Sequence, residues 1–324
     1  MADMVEADPR VVKSRDGWLF LVGGTNSAKD LFDGEGFARR VQIERWLTCL
    51  ANRKEQFAKL GVRHRMLIAP EKLSVLGISG PRRIELFGED APADLEAPGA
   101  RFVRLAQDPA VLFPLDFLSS QETKGYQTFT RTDSHWTWLG ALSAFQCLVA
   151  SLGYKFTFAE YFTLRREEKR YRGDLWEEVF PDVDRDIFVR LMVPDWITRV
   201  YANSLVGFKE ANTLVNAAGL HGGSHCVFVN HRAESKDSIV LFGSSFSDYR
   251  LTVNLLTAIC VAHFRVVHFI WSTDVDFGYV ARIRPDVVVT EIPERFLALC
   301  PSDELDIESY AVARLARWRR EAQP

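Results

Sequence analysis

The C-terminal third of the chain alternates short apolar runs with helical patterns, and no other feature of the sequence restricts the fold as much. The apolar runs lie at 238–242, 265–270 and 286–290. One helical pattern follows the first run to about residue 263, and another covers 277–283. Strands that are apolar throughout and alternate with helices are typical of a parallel sheet with right-handed crossovers. The sequence therefore predicts an α/β fold, in which ligands gather at the carboxyl ends of the parallel strands.

The first half of the chain carries further helical and extended patterns. Residues 16–22 are predicted to form a strand, and the apolar spacing from Phe37 to Leu60 predicts one long helix. A short strand is predicted to end at Pro70. Thr137 is a suitable cap for a helix whose apolar positions share one face and which ends at Gly153.

Two stretches are less regular. Residues 80–125 are rich in proline, glycine and charge, which indicates irregular surface structure with brief helices. Antiparallel strands are predicted at about 185–230, and the basic run Arg165–Arg172 is interpreted as a solvated helix because glutamates interleave with its cations. We therefore interpret residues 1–324 as a single catalytic domain with a less regular inserted segment at about 155–235.

Charge and hydropathy argue against nucleic-acid and membrane-spanning proteins. The formal net charge is -3, so no basic surface for nucleic acid is expected. No run approaches the ~18 apolar residues that a membrane span needs. The first ten residues are acidic and polar and lack the pattern of a secretory signal. As written, the sequence indicates a cytoplasmic protein, or a periplasmic one if a leader has been removed.

Metal ligands are not evident in the sequence. The cysteines are scattered, odd in number and without zinc-like spacing, which favours buried free thiols; they are Cys49, Cys147, Cys226, Cys260 and Cys300. His221 and His225 have an i, i+4 spacing, but they lie in a glycine-rich turn with no third ligand. No metal is therefore predicted. No phosphate-binding glycine loop is visible either, and no cofactor is predicted.

A serine-rich turn follows the first C-terminal strand. In Gly243-Ser244-Ser245-Phe246-Ser247, a small residue and then a serine come directly after a buried strand and before a predicted helix. Such a turn presents a hydroxyl at the edge of the sheet, and a helix N-terminus nearby could stabilise an oxyanion. The alternative, that these serines only cap the helix, stays open on this segment alone.

An aspartate and a histidine lie close together in Asp133-Ser134-His135-Trp136. A serine hydroxyl becomes a nucleophile when an imidazole takes its proton, and the imidazole needs a carboxylate to fix its tautomer. The i, i+2 spacing in an extended turn could place the Asp133 and His135 side chains on the same side of the backbone. By itself the pattern is weak, because a loop histidine beside an acid is usually polar surface.

Six segments, in order along the chain, resemble the alginate O-acetyltransferase family (AlgJ/AlgX type), SGNH hydrolase-like proteins that acetylate bacterial exopolysaccharides. They are DGWLFLVGGTN (16–26), APEK (69–72), TDSHWTWLGA (132–141), GDLW (173–176), FGSSFSD (242–248) and PDVVVTEIPERFL (285–297). The resemblance spans most of the chain. It implies an SGNH hydrolase-like three-layer fold with a parallel central sheet. Because the Asp and His segment precedes the Ser segment, reversing the usual SGNH order, the fold would be circularly permuted.

The resemblance also implies roles for individual residues. Ser245 would be the nucleophile, His135 the base and Asp133 the acid that orients it. A carbohydrate acceptor is implied, together with an acyl donor, either a small molecule or a membrane partner that passes acetyl groups on. No metal and no nucleic acid are implied. Family members are typically exported or membrane-tethered, so the resemblance implies a periplasmic location if a leader has been removed.

Further candidates for substrate binding or an oxyanion hole lie near these segments. They are Asn26, Lys72, Trp136, Ser244 and Arg295. For Trp136, burial in the core is an equally good interpretation. For Glu291, Glu294 and Arg295, which follow the third C-terminal strand, a structural ion pair is favoured over catalysis.

Three functions remain possible at this point. The first is a serine O-acyltransferase that transfers an acyl group, in the simplest case acetyl, to a sugar hydroxyl of a polysaccharide or glycan. The second is a carbohydrate esterase or deacetylase with the same triad and water as acceptor. The third is a non-catalytic carbohydrate-binding scaffold, which would require the triad to be misassembled.

Overall fold

The predicted apolar strands lie at the centre of a seven-stranded sheet. The computed structural model describes residues 10–24, 26–92, 94–156, 166–176, 184–192, 194–212, 220–251 and 256–321. Its strands are β1 (Val11–Lys13), β2 (Leu19–Leu21), β3 (Arg63–Ala69), β4 (Val111–Leu112), β5 (Arg166–Tyr171), β6 (Asp186–Leu191), β7 (Ile197–Ala202), β8 (His225–Asn230), β9 (Ser235–Gly243), β10 (Phe264–Trp271) and β11 (Val287–Pro293).

Most of the central sheet is parallel. Its strand order is β4-β3-β11-β9-β10-β8-β7, and the five strands from β4 to β10 all run in the same direction. β8 pairs antiparallel with β10 and with β7, so one margin of the sheet is mixed. The antiparallel strands predicted in the less regular segment are thus present, and two of them extend the parallel sheet. The prediction of an α/β fold with a largely parallel sheet is confirmed.

Helices cover both faces of this sheet and give the predicted three layers. They are α1 (Gly34–Arg40), α2 (Ile43–Leu60), α3 (Gly80–Phe87), α4 (Pro98–Ala106), α5 (Leu115–Thr123), α6 (Trp138–Ser151), α7 (Ser204–Ala211), α8 (Leu256–His263), α9 (Phe277–Ile283) and α10 (Ile307–Glu321). Successive residues of a strand face opposite sides. In β9, Ile239 and Leu241 pack in the same cluster as α6 and α8, whereas Val240 and Phe242 pack with α9.

The helix that begins at Trp138 follows the prediction closely. Thr137 has an extended backbone, and its hydroxyl accepts a hydrogen bond from the Gly140 amide at 3.3 Å. Gly153, just beyond the end of the helix, has a φ of 78°, a backbone conformation that favours glycine. This helix is buried along most of its length, and it fixes the chain that precedes it, which carries Asp133 and His135.

Two predicted helices are wrong in detail. The stretch from Phe37 to Leu60 forms two helices rather than one, because the backbone turns extended at Val41 and buries the Val41 side chain with Trp46. The basic run, described from Arg166 onward, is the strand β5, paired with β6. Cross-strand pairing, which a single segment does not reveal, decides the structure of this run. Arg165 lies outside the described residues.

Candidate active site

The serine turn is built around a buried carboxylate at the carboxyl end of β11. Glu291 accepts hydrogen bonds from the Ser244 amide at 2.8 Å, the Ser244 hydroxyl at 2.8 Å and the Ser247 hydroxyl at 2.7 Å. A Cβ atom at Gly243 would lie 2.8 Å from the Ser247 oxygen, so only glycine allows this approach. The sequence favoured an ion pair for Glu291. In the structure, the Glu291 carboxylate instead accepts from three uncharged groups. These groups belong to the turn that follows β9, the strand next to β11.

These contacts distinguish Ser245 from the serines on either side of it. Ser244 and Ser247 are buried, and both hydroxyls bind the same carboxylate. Ser245 lies between them on the turn and is half-buried. The hydroxyls of Ser244 and Ser247 are therefore bound to the Glu291 carboxylate, and the role of Ser245 as the nucleophile remains a prediction.

We expect Glu291→Leu to lower the free energy of unfolding by about 3 kcal/mol, because it leaves the Ser244 amide and two serine hydroxyls buried without an acceptor. Urea denaturation of the variant and the parent measures this difference. Glu291→Gln retains one amide oxygen as acceptor and should lose less. Equal stability of the leucine variant and the parent would contradict the bracing role.

Asp133 and His135 form a close pair on the turn before α6. Asp133 Oδ1 accepts the His135 backbone amide at 2.8 Å and lies 2.7 Å from His135 Nδ1. The short i, i+2 spacing brings the ring back onto the carboxylate, as the sequence predicted. A carboxylate at Nδ1 places the ring proton there and leaves Nε2 as the nitrogen that can accept a proton.

The second oxygen of Asp133 and the backbone beside it are held by the segment around GDLW. The Tyr171 hydroxyl donates to Asp133 Oδ2 at 3.2 Å. Asp174 accepts from the Ser134 amide at 2.6 Å and from its hydroxyl at 2.5 Å. At Gly173, a Cβ atom would lie 2.3 Å from the Thr132 carbonyl, so this close packing requires glycine. The GDLW motif thus positions the Asp133 turn, a role that its sequence alone did not reveal.

The electrostatics of the pair favour an ionised Asp133 carboxylate and a protonated His135 imidazole. Burial alone would raise the pKa of Asp133 and lower that of His135. The mutual attraction of the two groups and their hydrogen bonds reverse both effects, so the pKa of Asp133 is lowered and that of His135 is raised. His135 Nε2 is buried and has no hydrogen-bond partner among the described residues. This nitrogen is suited to accept the proton of a hydroxyl group.

The histidine segment and the serine segment meet in space. The ring centroids of His135 and Phe246, the residue after Ser245, lie 4.9 Å apart. Trp136 Nε1 donates to the Phe246 carbonyl at 3.1 Å, and the two rings meet edge to face at 5.0 Å. The two distant stretches of chain therefore meet at the carboxyl end of β9.

The remaining predicted residues fall into two groups. Trp136 is 2% exposed and joins the two segments from within the core, so the burial alternative describes its position. Ser244 binds Glu291. Arg295 lies at the site: its guanidinium is 5.7 Å from the Phe246 ring centroid and 2.6 Å from Glu71 Oε1.

Lys72 and Asn26 lie on the N-terminal part of the chain. Lys72 is buried, and its ammonium donates to the backbone carbonyls of Leu19 at 2.9 Å and Arg131 at 3.2 Å. It thereby ties β2 to the chain just before Asp133. Asn26 is half-buried in the turn after β2. Their roles in substrate binding remain predictions.

The helix predicted directly after Ser245 begins later. Residues 244–250 form turns, Asp248 and Leu251 have φ values of 35° and 56°, and α8 begins at Leu256 in the described chain. The carboxylate of Glu291 draws the serine hydroxyls and the Ser244 amide back toward the sheet, which favours a turn over a helix here. The helix N-terminus that the sequence placed directly after Ser245 is therefore not found at residues 244–250.

A cavity borders the serine turn at Gly243 and Ser244. Its volume is about 260 Å³. It is lined by Gly243, Ser244, Trp271, Phe296, Tyr310 and neighbouring residues. An apolar and aromatic lining with a few polar groups is typical of sites for small organic molecules.

One group of side chains has the composition of a metal site. Ligand-type atoms of Asp133, His135 and Asp174 lie within 4.8 Å of one another. Each is already hydrogen-bonded, the first two to each other and Asp174 to Ser134. A metal would have to displace these bonds, so the donor set fits an Asp–His pair better than a cation. The two histidines considered in the sequence have different partners: His221 Nδ1 lies 3.0 Å from Lys209 Nζ, and His225 Nε2 lies 3.1 Å from the Tyr279 hydroxyl.

Solved structures share this fold at low sequence identity. The O-acetyltransferase domain of Pseudomonas putida AlgJ aligns with a TM-score of 0.55 and 18% identity, covering 95% of this chain and all of that one. Bacillus cereus PatB1 with a sulfonyl adduct aligns at 0.57 and 14%, covering 93% and 97%. A DHHW family protein from Eubacterium siraeum aligns at 0.59 and 14%, covering 89% and 91%. None of the curated protein sequences matches the chain.

A family model matches the part of the chain that carries Asp133, His135 and Asp174. It describes the SGNH hydrolase-like domain of the acetyltransferase AlgX and matches residues 11–200, more than half of the chain; Ser245 lies beyond this match. No described helix is both long and apolar enough to cross a membrane. The predictions of fold class and of acetyltransferase family are confirmed: the chain belongs to the AlgX family of SGNH hydrolase-like acetyltransferases.

Proposed function

We propose that the chain is a serine O-acyltransferase that forms an acyl-enzyme on Ser245 and passes the acyl group, in the simplest case acetyl, to a sugar hydroxyl. The observation that carries this proposal is the buried Nε2 of His135, which has no hydrogen-bond partner in the part of the chain that the structure describes. Asp133 holds the ring in one tautomer, and the ring lies next to the residue that follows Ser245. The acetyltransferase family to which the chain belongs supports the choice of acetyl.

The proposed reaction has two displacements. In the first, His135 Nε2 accepts the Ser245 proton while Oγ attacks the acyl carbonyl, and the leaving group departs with that proton. In the second, the histidine accepts a proton from the sugar hydroxyl, whose oxygen attacks the acyl carbonyl, and the imidazolium then returns this proton to the departing Ser245 oxygen. The carboxylate of Asp133 stabilises the imidazolium that forms in each step.

The partners proposed are a polysaccharide or glycan acceptor and an activated acyl donor, either a small ester or a membrane protein that passes acetyl groups on. The aromatic cavity beside Ser244 offers a surface on which a sugar ring can stack. An exopolysaccharide acceptor lies outside the cytoplasm, so we propose a periplasmic reaction. The acidic first residues contribute to the cytoplasmic alternative, and residues 1–9 lie outside the described chain.

Product analysis with an activated acetyl ester and an oligosaccharide acceptor tests the proposal. Acetylated sugar as the main product supports transfer. Free acetate alone, with no effect of the acceptor, would assign the same site to an esterase. No consumption of the ester and no covalent label from a sulfonyl fluoride would favour a binding scaffold. The sulfonyl reagent is chosen because the B. cereus PatB1 structure carries such an adduct.

We expect the rate of ester cleavage to rise with pH as His135 loses its proton, with a midpoint above the ordinary histidine pKa of about 6.5. Burial by itself would lower the pKa of His135. The attraction between the imidazolium and the Asp133 carboxylate outweighs burial, so the pKa of His135 is raised. The neutral imidazole is the active base, so activity is lost as the pH falls through this raised pKa. Asp133→Asn removes the attraction, and it should lower both the midpoint and the rate, the rate by up to about 10⁴-fold. A midpoint unchanged in Asp133→Asn would contradict the pairing.

A further inference from the structure

A buried ion pair joins helix α2 to the chain that follows β11. Arg53 on α2 donates to both carboxylate oxygens of Asp303, at 2.8 and 2.7 Å, and the two side chains are 1% and 3% exposed. The same guanidinium binds the Thr273 carbonyl at 2.9 Å and lies 3.2 Å from the Thr290 hydroxyl. These contacts fix α2 against the segment around Asp303, so residues of the two segments that lie close to this ion pair keep their relative positions.

Two cysteines lie beside the Arg53–Asp303 ion pair, one on each of the two segments that it joins. Cys49 lies one helical turn before Arg53 and on the same face of α2, and Cys300 lies on the segment that leads to Asp303. Cys49 Sγ is 3.4 Å from Asp303 Oδ2, and the thiols of Cys49 and Cys300 are hydrogen-bonded to each other. Both residues are half-buried, and both line one surface cavity of about 450 Å³. A small reagent can therefore reach the pair.

We propose that Cys49 and Cys300 are a redox-active dithiol that a disulfide-type oxidant converts to an intramolecular disulfide. One thiolate attacks a sulfur of the oxidant and displaces a first thiol, which gives a mixed disulfide. The second thiolate then attacks the protein sulfur of that mixed disulfide and displaces a second thiol. The two cysteines lose two electrons and two protons in total, and the oxidant is reduced to two thiols.

The surroundings of the two sulfurs shift the pKa values of the two thiols in opposite directions. The hydrogen bond from Cys49 lowers the pKa of Cys300 despite partial burial, and Arg45 and Arg53 lower it further. The same hydrogen bond, with burial, raises the pKa of Cys49. Because the thiolate is the attacking form, the lowered pKa favours Cys300 as the first of the two to attack the oxidant.

The full chain, reduced and then incubated with oxidised glutathione, tests this inference. Free thiols are alkylated, the protein is digested without reductant, and the peptides are analysed by mass spectrometry. We expect the Cys49 peptide linked to the Cys300 peptide in the parent and in Cys147→Ser, which removes a half-buried thiol on α6. Cys49→Ser should accumulate a glutathione adduct on Cys300, because the closing thiol is missing.

A second measurement on the parent needs no variant. The link would close a long loop of the unfolded chain, so the oxidised protein should melt at least about 5 °C above the reduced protein, and reductant should reverse the difference. Free thiols at both positions after oxidation, or a link from either cysteine to another one, would overturn the inference.

Discussion

Ser245→Ala should abolish the transfer of acyl groups, with a fall in kcat/KM of at least about 10³-fold, because it removes the only atom that can carry the proposed acyl-enzyme. The variant should also fail to take up a sulfonyl label. The change removes a single half-buried hydroxyl, so the variant should still fold and unfold in one cooperative transition. Rates with an activated acetyl ester, intact mass after labelling and a thermal melt measure these three quantities.

Ser247→Ala is the matched control, since it makes the same change two residues along the same turn. It removes one hydrogen bond to Glu291 and should cost about 1 kcal/mol of stability, but the sulfonyl label should still reach Ser245. Ester turnover by Ser245→Ala at the parent's rate, or a label that persists in it, would contradict the assignment of the nucleophile.

His135→Gln should lower the rate of ester cleavage by a comparable amount, about 10³-fold or more, because glutamine cannot take the proton from Ser245. Glutamine still offers Asp133 an amide donor, so the turn before α6 should persist. The double variant with Ser245→Ala should be no slower than the slower of the two single variants, since residues that act as one unit are not additive. Rates of the two single variants and the double variant measure this.

His231→Gln provides the matched control for the histidine. His231 is exposed in the turn between β8 and β9, and the same substitution there should leave the rate unchanged. If the rates of the single variants multiplied in the double variant, the two residues would act independently, and the proposed proton transfer between them would be wrong.

Local patterns predicted the elements of the sheet and the pair that orients the base. The apolar runs of β9, β10 and β11 were predicted because strands buried on both faces leave a continuous signal. The contact between Asp133 and His135 was predicted because two residues at i and i+2 in a turn are brought together by the local backbone alone. The structure has this contact, a hydrogen bond of 2.7 Å. The Thr137 cap is another local signal of this kind.

Residues that act across the fold were missed or misinterpreted. Glu291 was assigned to an ion pair, whereas it braces the serine turn from the neighbouring strand. Tyr171 lies in a run interpreted as a helix, and its hydroxyl reaches Asp133 only because β5 is a strand. Asp174 was recognised as part of a motif, but its contact with Ser134 depends on how two loops pack.

The sequence by itself determined the layered α/β character, the Asp–His pair and the family, since these follow from periodicity, short spacings and motifs in order. The tertiary structure alone decided which serine hydroxyls are committed to Glu291, and that His135 lies beside Phe246. The physical reason is that strand order and loop packing bring residues together whose separation along the chain carries no periodic signal. Such contacts depend on the whole core, and no single segment encodes them.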